Sequence, residues 1–166
     1  MSDITFETFT EADLPQLETW LHRPHVRQWW GEPASELAAI REDLESDRFK
    51  GFIVHVEGLP VGFVQWWRSH DGAETGIDLF IAEKTRTGRG LGTRIISAMT
   101  KRLFSEGAVR VTVDPNKDNA AAIAAFAAAG YEAVEPDDGR KEPYLLMVCD
   151  ADKFEEHGKK LVETLA

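Results

Sequence analysis

Residues 86 to 93 read Arg-Thr-Gly-Arg-Gly-Leu-Gly-Thr, and the three glycines at alternate positions (Gly88, Gly90, Gly92) narrow what this stretch can form. It follows a strand-like run, Ile77 to Ala82, and leads into a helical run beginning at Leu91. Bare backbone at the mouth of a helix gathers free N–H groups and the positive end of the helix dipole on one point. Such a point favours an anionic phosphate. Arg89 adds a mobile charge. A Walker-type loop is excluded, because no glycine here is followed by lysine. A G-x-G-x-x-G dinucleotide loop is excluded as well, since counting from Gly88 puts Thr93 at the third glycine position. What is left is a loop for some other pyrophosphate-bearing ligand, or a glycine-rich turn with none.

The length, 166 residues, suits a single domain over 1–166 with a substantial core. No apolar run reaches the ~20 residues that cross a membrane, and Met-Ser-Asp-Ile-Thr lacks the basic and apolar parts of a signal peptide. A lone Cys149 forms no internal disulfide, so the expected setting is the cytoplasm. The formal charge of −10 argues against nucleic acid and suits a cationic small-molecule substrate, although many acidic proteins are acidic only for solubility. His55 and His70 lack metal-ligand spacing, so no metal site is expected.

Ile4 to Phe9 alternates as a half-buried strand, and Thr10 or Asp13 can cap a helix bearing Leu14, Leu17 and Leu21 on one face. Pro24 and Trp29-Trp30-Gly31 are read as breaking that helix, and 33 to 47 as a second, charged helix. Phe52 to Val56 and Val61 to Trp67 form a hairpin around Glu57-Gly58-Leu59-Pro60, and Thr75 to Ala82 is a fourth strand. Leu91, Ile95, Met99 and Leu103 give one buried helix stripe, and Val109, Val111 and Val113 alternate along a fifth strand. Asp118 to Ala129 reads as a helix capped by Asn116 or Asp118 and stopped at Gly130. Strands near Tyr131 to Glu135 and Tyr144 to Cys149 flank Asp137-Asp138-Gly139, and the tail from Ala151 is a short helix or a frayed end.

The strand, the x-x-G-x-G loop with Gly90 and Gly92, and the following helix resemble the acetyl-coenzyme A loop of the GNAT N-acetyltransferase superfamily. Thr87 stands at its Gln/Arg position, with Arg86 beside it. The order β-α-α-β-β-β-α-β-α-β-β and the segment Asn119 to Tyr131 resemble the same superfamily. The resemblance implies an α/β (α+β) fold of about seven strands with helices on both faces, splayed between the fourth and fifth strands. Gly76-Ile77-Asp78, Val113-Asp114-Pro115 and Trp29-Trp30-Gly31 resemble the bacterial aminoglycoside 6'-N-acetyltransferases in particular. Siderophore-pathway lysine acyltransferases share part of these motifs.

This resemblance implies acetyl-coenzyme A as co-substrate and a primary amine as acceptor. Arg86, Thr87, Gly88, Arg89, Gly90, Leu91, Gly92 and Thr93 are then expected to hold the pyrophosphate, with Phe80, Ile81, Asn119 and Phe126 along the arm. Asp78 is expected to accept the amine proton, because an alkylammonium near pKa ~10 must lose one before it can attack. Trp29, Gln65, Asp78 and Asp114 are expected to line the acceptor pocket. Asp78 as a paired structural carboxylate and Asp114 as a turn residue are the plain alternatives.

One departure concerns Phe126, which stands where the superfamily often has a proton-donating tyrosine. It leaves Tyr131, Tyr144 or solvent to protonate the thiolate. The same departure motivates a non-catalytic acyl-coenzyme A sensor as the alternative of another class. A sheet edge allows either a monomer or a homodimer.

Overall fold

The computed structural model describes residues 3–86, 90–134 and 143–165, the last six as backbone. Seven strands form one mixed sheet in the order β1-β2-β3-β4-β5-β7-β6. β1 (Ile4–Thr8), β2 (Phe49–Val56), β3 (Leu59–Arg68) and β4 (Thr75–Ile81) pair antiparallel in succession. β4 meets β5 (Arg110–Val113) in parallel, and β7 (Met147–Asp150) lies antiparallel between β5 and the short β6 (Glu132–Ala133). Glu57 (φ 52°) and Gly58 (φ 80°) are both left-handed, so the β2–β3 link is a two-residue turn whose twist matches the strands.

α1 (Leu14–Leu21), α2 (Pro24–Trp30) and α3 (Pro33–Asp43) cover one sheet face, and α4 (Leu91–Ser105) and α5 (Ala120–Ala128) the other. Side chains alternate between these faces along each strand. Ile53, Phe63 and Phe80 therefore pack with Leu17, Trp20 and Leu21, while Val54, Val64 and Ile77 pack with the α4 stripe. All four residues of that stripe, Leu91, Ile95, Met99 and Leu103, are buried as the periodicity requires. Each contributes about 1.5–3 kcal/mol by leaving water. Among the described residues no helix is long and apolar enough to cross a membrane.

Several sequence expectations need correction. Pro24 does not simply end a helix: it occupies the first turn of α2, where its missing N–H has no partner to lose. Three helices, not two, thus precede β2, and α3 ends at Asp43. Val109 lies outside β5 and is 69% exposed, whereas Val111 and Val113 are buried. The cap of α5 is Asn119, whose side chain accepts from the Ala122 N–H at 3.2 Å. Asn116 instead accepts from the Asp118 N–H in the preceding turn. β6 is only two residues long, Tyr144 makes an isolated bridge to Asn116, and the last strand starts at Met147. The tail is a 15-residue helix, α6 (Ala151–Leu165), anchored by Phe154 against Phe104. Glu135 and the Asp137-Asp138-Gly139 turn lie outside the described residues.

β4 and β5 are paired only at Thr75–Val111 and Gly76–Thr112. Beyond Gly76 the strands diverge, and among the described residues the β5 side of Ile77 to Ile81 has no neighbouring strand. Just past the end of β5, Pro115 has no N–H with which to extend a ladder. The opening places β4 with one edge bonded to β3 and the other edge bare.

Candidate active site

The bare edge can be read peptide by peptide. The Ala82 N–H donates to the Val61 carbonyl of β3 at 2.8 Å. Successive peptides of a strand point to opposite sides, so Phe80 also faces β3, while Leu79 and Ile81 turn their N–H groups into the opening. Of the two residues expected along the arm, Ile81 thus presents its backbone to the gap. Phe80 turns its own N–H to β3 and packs its ring edge-on against Trp20 and Trp30, and it too lines the cleft described below.

Asp78 and Gln65 are register partners on β4 and β3 and share the α1–α3 face. The Asp78 carboxylate accepts from the Leu79 N–H at 3.0 Å. Water reaches this side chain, but protein encloses it elsewhere, and the resulting loss of hydration pushes its carboxyl up to about 7. Repulsion from Asp114, and more weakly from Glu36, acts in the same direction, against the Leu79 hydrogen bond. A carboxylate poised near neutrality is suited to accepting a proton from an ammonium group. The neighbouring Gln65 Oε1 is buried without a hydrogen-bond partner among the described residues. A buried carbonyl left in that state costs free energy that an entering N–H donor would recover.

Asp114 follows β5 across the opening, and burial raises its carboxyl above the ordinary range. Glu36 on α3 is raised for the same reason. Sequence reading passed over Glu36, although a signal existed: it stands three residues after buried Pro33 and four before buried Ile40, on the sheet-facing side of its helix. Among the described residues no group of three or more His, Cys, Asp or Glu is gathered closely enough to hold a metal ion. The three carboxylates therefore spread negative charge over a surface rather than converging on one point.

The tryptophans divide by face. Trp66 is buried beneath Arg68, and Trp30 packs edge-on against Phe63 and Phe80. Trp67 is 42% exposed and Trp29 is 37% exposed. The Trp67 indole lies across Gly76, its register partner, where a Cβ would fall within the ring. Gly76 is thus the residue that leaves room for the Trp67 indole, which lines the same cavity as Asp114.

A cleft of about 550 Å³ runs along the opening. Ile81, Gly90, Gly92, Thr93, Asn119 and Phe126 all line it, as does Trp29, which had been expected at the acceptor. Gly90 (φ 77°) holds the left-handed turn that starts α4 and leaves the first-turn N–H groups facing the cleft. A Cβ on Gly92 would meet only ordinary contacts at Ile81 and Ala125, so packing alone does not demand glycine there. Asn119 spends its carbonyl oxygen on the helix cap, which leaves its amide N–H groups to donate. Leu91 is buried in the core, and Arg86 closes a short 3₁₀ turn at Lys84–Arg86 outside the cleft lining. Thr87, Gly88 and Arg89 lie outside the described residues.

Phe126 stacks edge-on with Tyr131. The Tyr131 hydroxyl is buried and shares a 2.7 Å hydrogen bond with Thr100, and burial holds its pKa well above the usual range. Tyr144 is half exposed and lies away from the cleft lining. Neither tyrosine is placed to serve a leaving group there. Bare helix-start amides, an open strand edge and an amide donor fit a phosphate-bearing, peptide-like chain. The carboxylates and Gln65 fit a cationic amine.

Comparisons with known proteins agree with this geometry. Residues 10–136 match the model of the acetyltransferase (GNAT) domain family. An aminoglycoside N(6')-acetyltransferase type 1 of Klebsiella pneumoniae is 32% identical over 92% of this chain and 85% of its own length. The structure of the aminoglycoside acetyltransferase AAC(6')-Ib in a complex containing acetyl-coenzyme A superposes with a TM-score of 0.79 at 28% identity, covering 92% of this chain and 96% of that one. The same acetyltransferase bound to coenzyme A and kanamycin gives a TM-score of 0.78 at 29% identity, covering 93% and 98%.

Proposed function

Because this chain belongs to the GNAT acetyltransferase family and is an acetyl-coenzyme A-dependent N-acetyltransferase, we propose that its acceptor is an aminoglycoside, acetylated at the 6'-amine by direct attack in a ternary complex. The observation that carries this reading is a cavity of about 220 Å³ beside the opening, lined by Trp67, Glu74, Thr112, Asp114 and Leu146 among others. It pairs an aromatic shelf with carboxylates, which suits a ring bearing ammonium groups. The one guanidinium in its lining, Arg110, is held by Asp150 at 2.7 Å. A lysine-type acceptor would bring its own carboxylate to this acidic wall and meet repulsion.

In this account Gly90, Gly92 and Thr93 receive the pyrophosphate at the start of α4. Asn119 and the Ile81 N–H face the arm. Acetyl-coenzyme A supplies the activated acetyl group when bound. Asp78 removes a proton from the acceptor ammonium, and Gln65 Oε1 accepts a hydrogen bond from the same nitrogen. The neutral amine then attacks, the C–N bond forms and the C–S bond breaks; the acylated nitrogen gives its surplus proton to solvent, and solvent protonates the departing sulfur, since Phe126 has no proton to give.

Two measurements test the proposal. The product from kanamycin should carry its acetyl group on the 6'-nitrogen by NMR; acetylation elsewhere contradicts the assignment. Initial-rate plots should intersect for a ternary complex, whereas parallel lines would indicate a covalent acetyl-enzyme.

A further inference from the structure

We propose that His25 is a positioning residue for acetyl-coenzyme A: it takes the place that β5 vacates and fixes the end of the open β4 edge. Pro24 opens α2. Proline disfavours a helical conformation in the residue before it, and Arg23 is extended (φ −65°, ψ 130°). That one extended residue separates α1 from α2 and turns both Arg23 and His25 toward the end of β4. His25 Nε2 lies 2.9 Å from the Ile81 carbonyl. Arg23 donates to the next carbonyl, Ala82, at 2.8 Å, and to Glu83 at the same distance. Two successive carbonyls beyond the point where β5 departs are thereby satisfied from one helix elbow.

A carbonyl oxygen only accepts, so Nε2 carries the hydrogen of this bond. In an extended strand the N–H and C=O of one residue point the same way. His25 therefore holds Ile81 by the carbonyl beside the N–H that opens into the cleft. The half-buried imidazole itself lines the cleft, one helical turn from Trp29. Without it, the Ile81 peptide has one edge on β3, through the Ala82 N–H, and no described residue on the other, and it can tilt. A ligand that docks along this edge would then have to order the strand on binding, which weakens affinity without touching the chemistry.

The test measures binding of coenzyme A alone by calorimetry, with thermal unfolding in parallel, on the full chain and on His25→Ala and His25→Gln. His25→Ala is expected to weaken coenzyme A binding about tenfold, the scale of one hydrogen bond to a buried carbonyl. In steady state KM for acetyl-coenzyme A should rise while kcat stays within about twofold. His25→Gln retains an N–H donor and should restore most of the affinity. Unchanged affinity in His25→Ala overturns the proposal. Equal weakening in both variants, or loss that follows a drop in Tm irrespective of the donor, overturns it too. The binding arm contains no acceptor, so its outcome is independent of whether the acceptor is an aminoglycoside.

Discussion

Gln65 and Asp78 face each other across β3 and β4, one offering a buried carbonyl oxygen without a partner among the described residues, the other a carboxyl pushed up to about 7. Each is unfavourable to the folded state alone, and each is relieved by the same thing, a nitrogen that brings hydrogen-bond donors and a proton. Aspartate is disfavoured at a strand position, and the proposed role of the pair accounts for one here.

Asp78→Asn should reduce kcat by about 10²–10⁴-fold if Asp78 is the proton acceptor. In the unsubstituted enzyme the rate should fall as pH drops through about 7, where the carboxyl becomes protonated. Rate measurements from pH 5.5 to 9 check this, and an unchanged acid limb in Asp78→Asn would remove the residue from the role.

The same group predicts a stability effect. Its folded pKa lies above the ordinary 3.8, so its favourable contribution is complete below that value and is lost as pH rises through about 7. Asp78→Asn should therefore raise Tm relative to the original chain by an amount that grows from pH 4 to 7 and then levels. Thermal scans across that range measure it, and a gain that shrinks with pH would contradict the assigned shift.

Gly76→Ala should behave as a substitution of Trp67. The added Cβ displaces the indole from its resting place, so KM for the acceptor should rise as in Trp67→Ala, at a stability cost of about 1–3 kcal/mol. The double variant should be little worse than either single one, because both remove the same shelf. Additive effects on KM would show that Gly76 acts in another way.

Asn119 joins two roles that substitution can separate. Asn119→Ala should lose about 1 kcal/mol with the cap of α5 and weaken coenzyme A binding as well. Asn119→Asp keeps a capping oxygen but not the amide donors, so Tm should recover while affinity for coenzyme A does not. Recovery of both would assign the binding loss to the helix rather than to the amide.

Where side-chain pattern and local geometry coincide, the sequence carried the fold. The Leu91–Leu103 stripe, the Glu57-Gly58 turn and the Gly90 start of α4 were legible because period and φ are local properties. Strand insertion was not legible: β7 enters between β5 and β6, and no local pattern in Tyr131 to Cys149 states which neighbour pairs with which. The cap of α5 was assigned to Asn116 or Asp118 rather than Asn119 because all three are good caps, and the choice depends on the turn that Asn116 makes. Glu36 was missed because α3 has many charges, and only the packed helix shows which of them faces the sheet.

Coenzyme A release measured side by side with kanamycin-type and lysine-type amines separates the two acceptor classes and decides the aminoglycoside assignment. Saturable turnover is expected with the kanamycin-type amine, and a far lower kcat/KM with the lysine type, whose carboxylate faces the Asp114 and Glu74 wall. Turnover with lysine-type amines alone would contradict it.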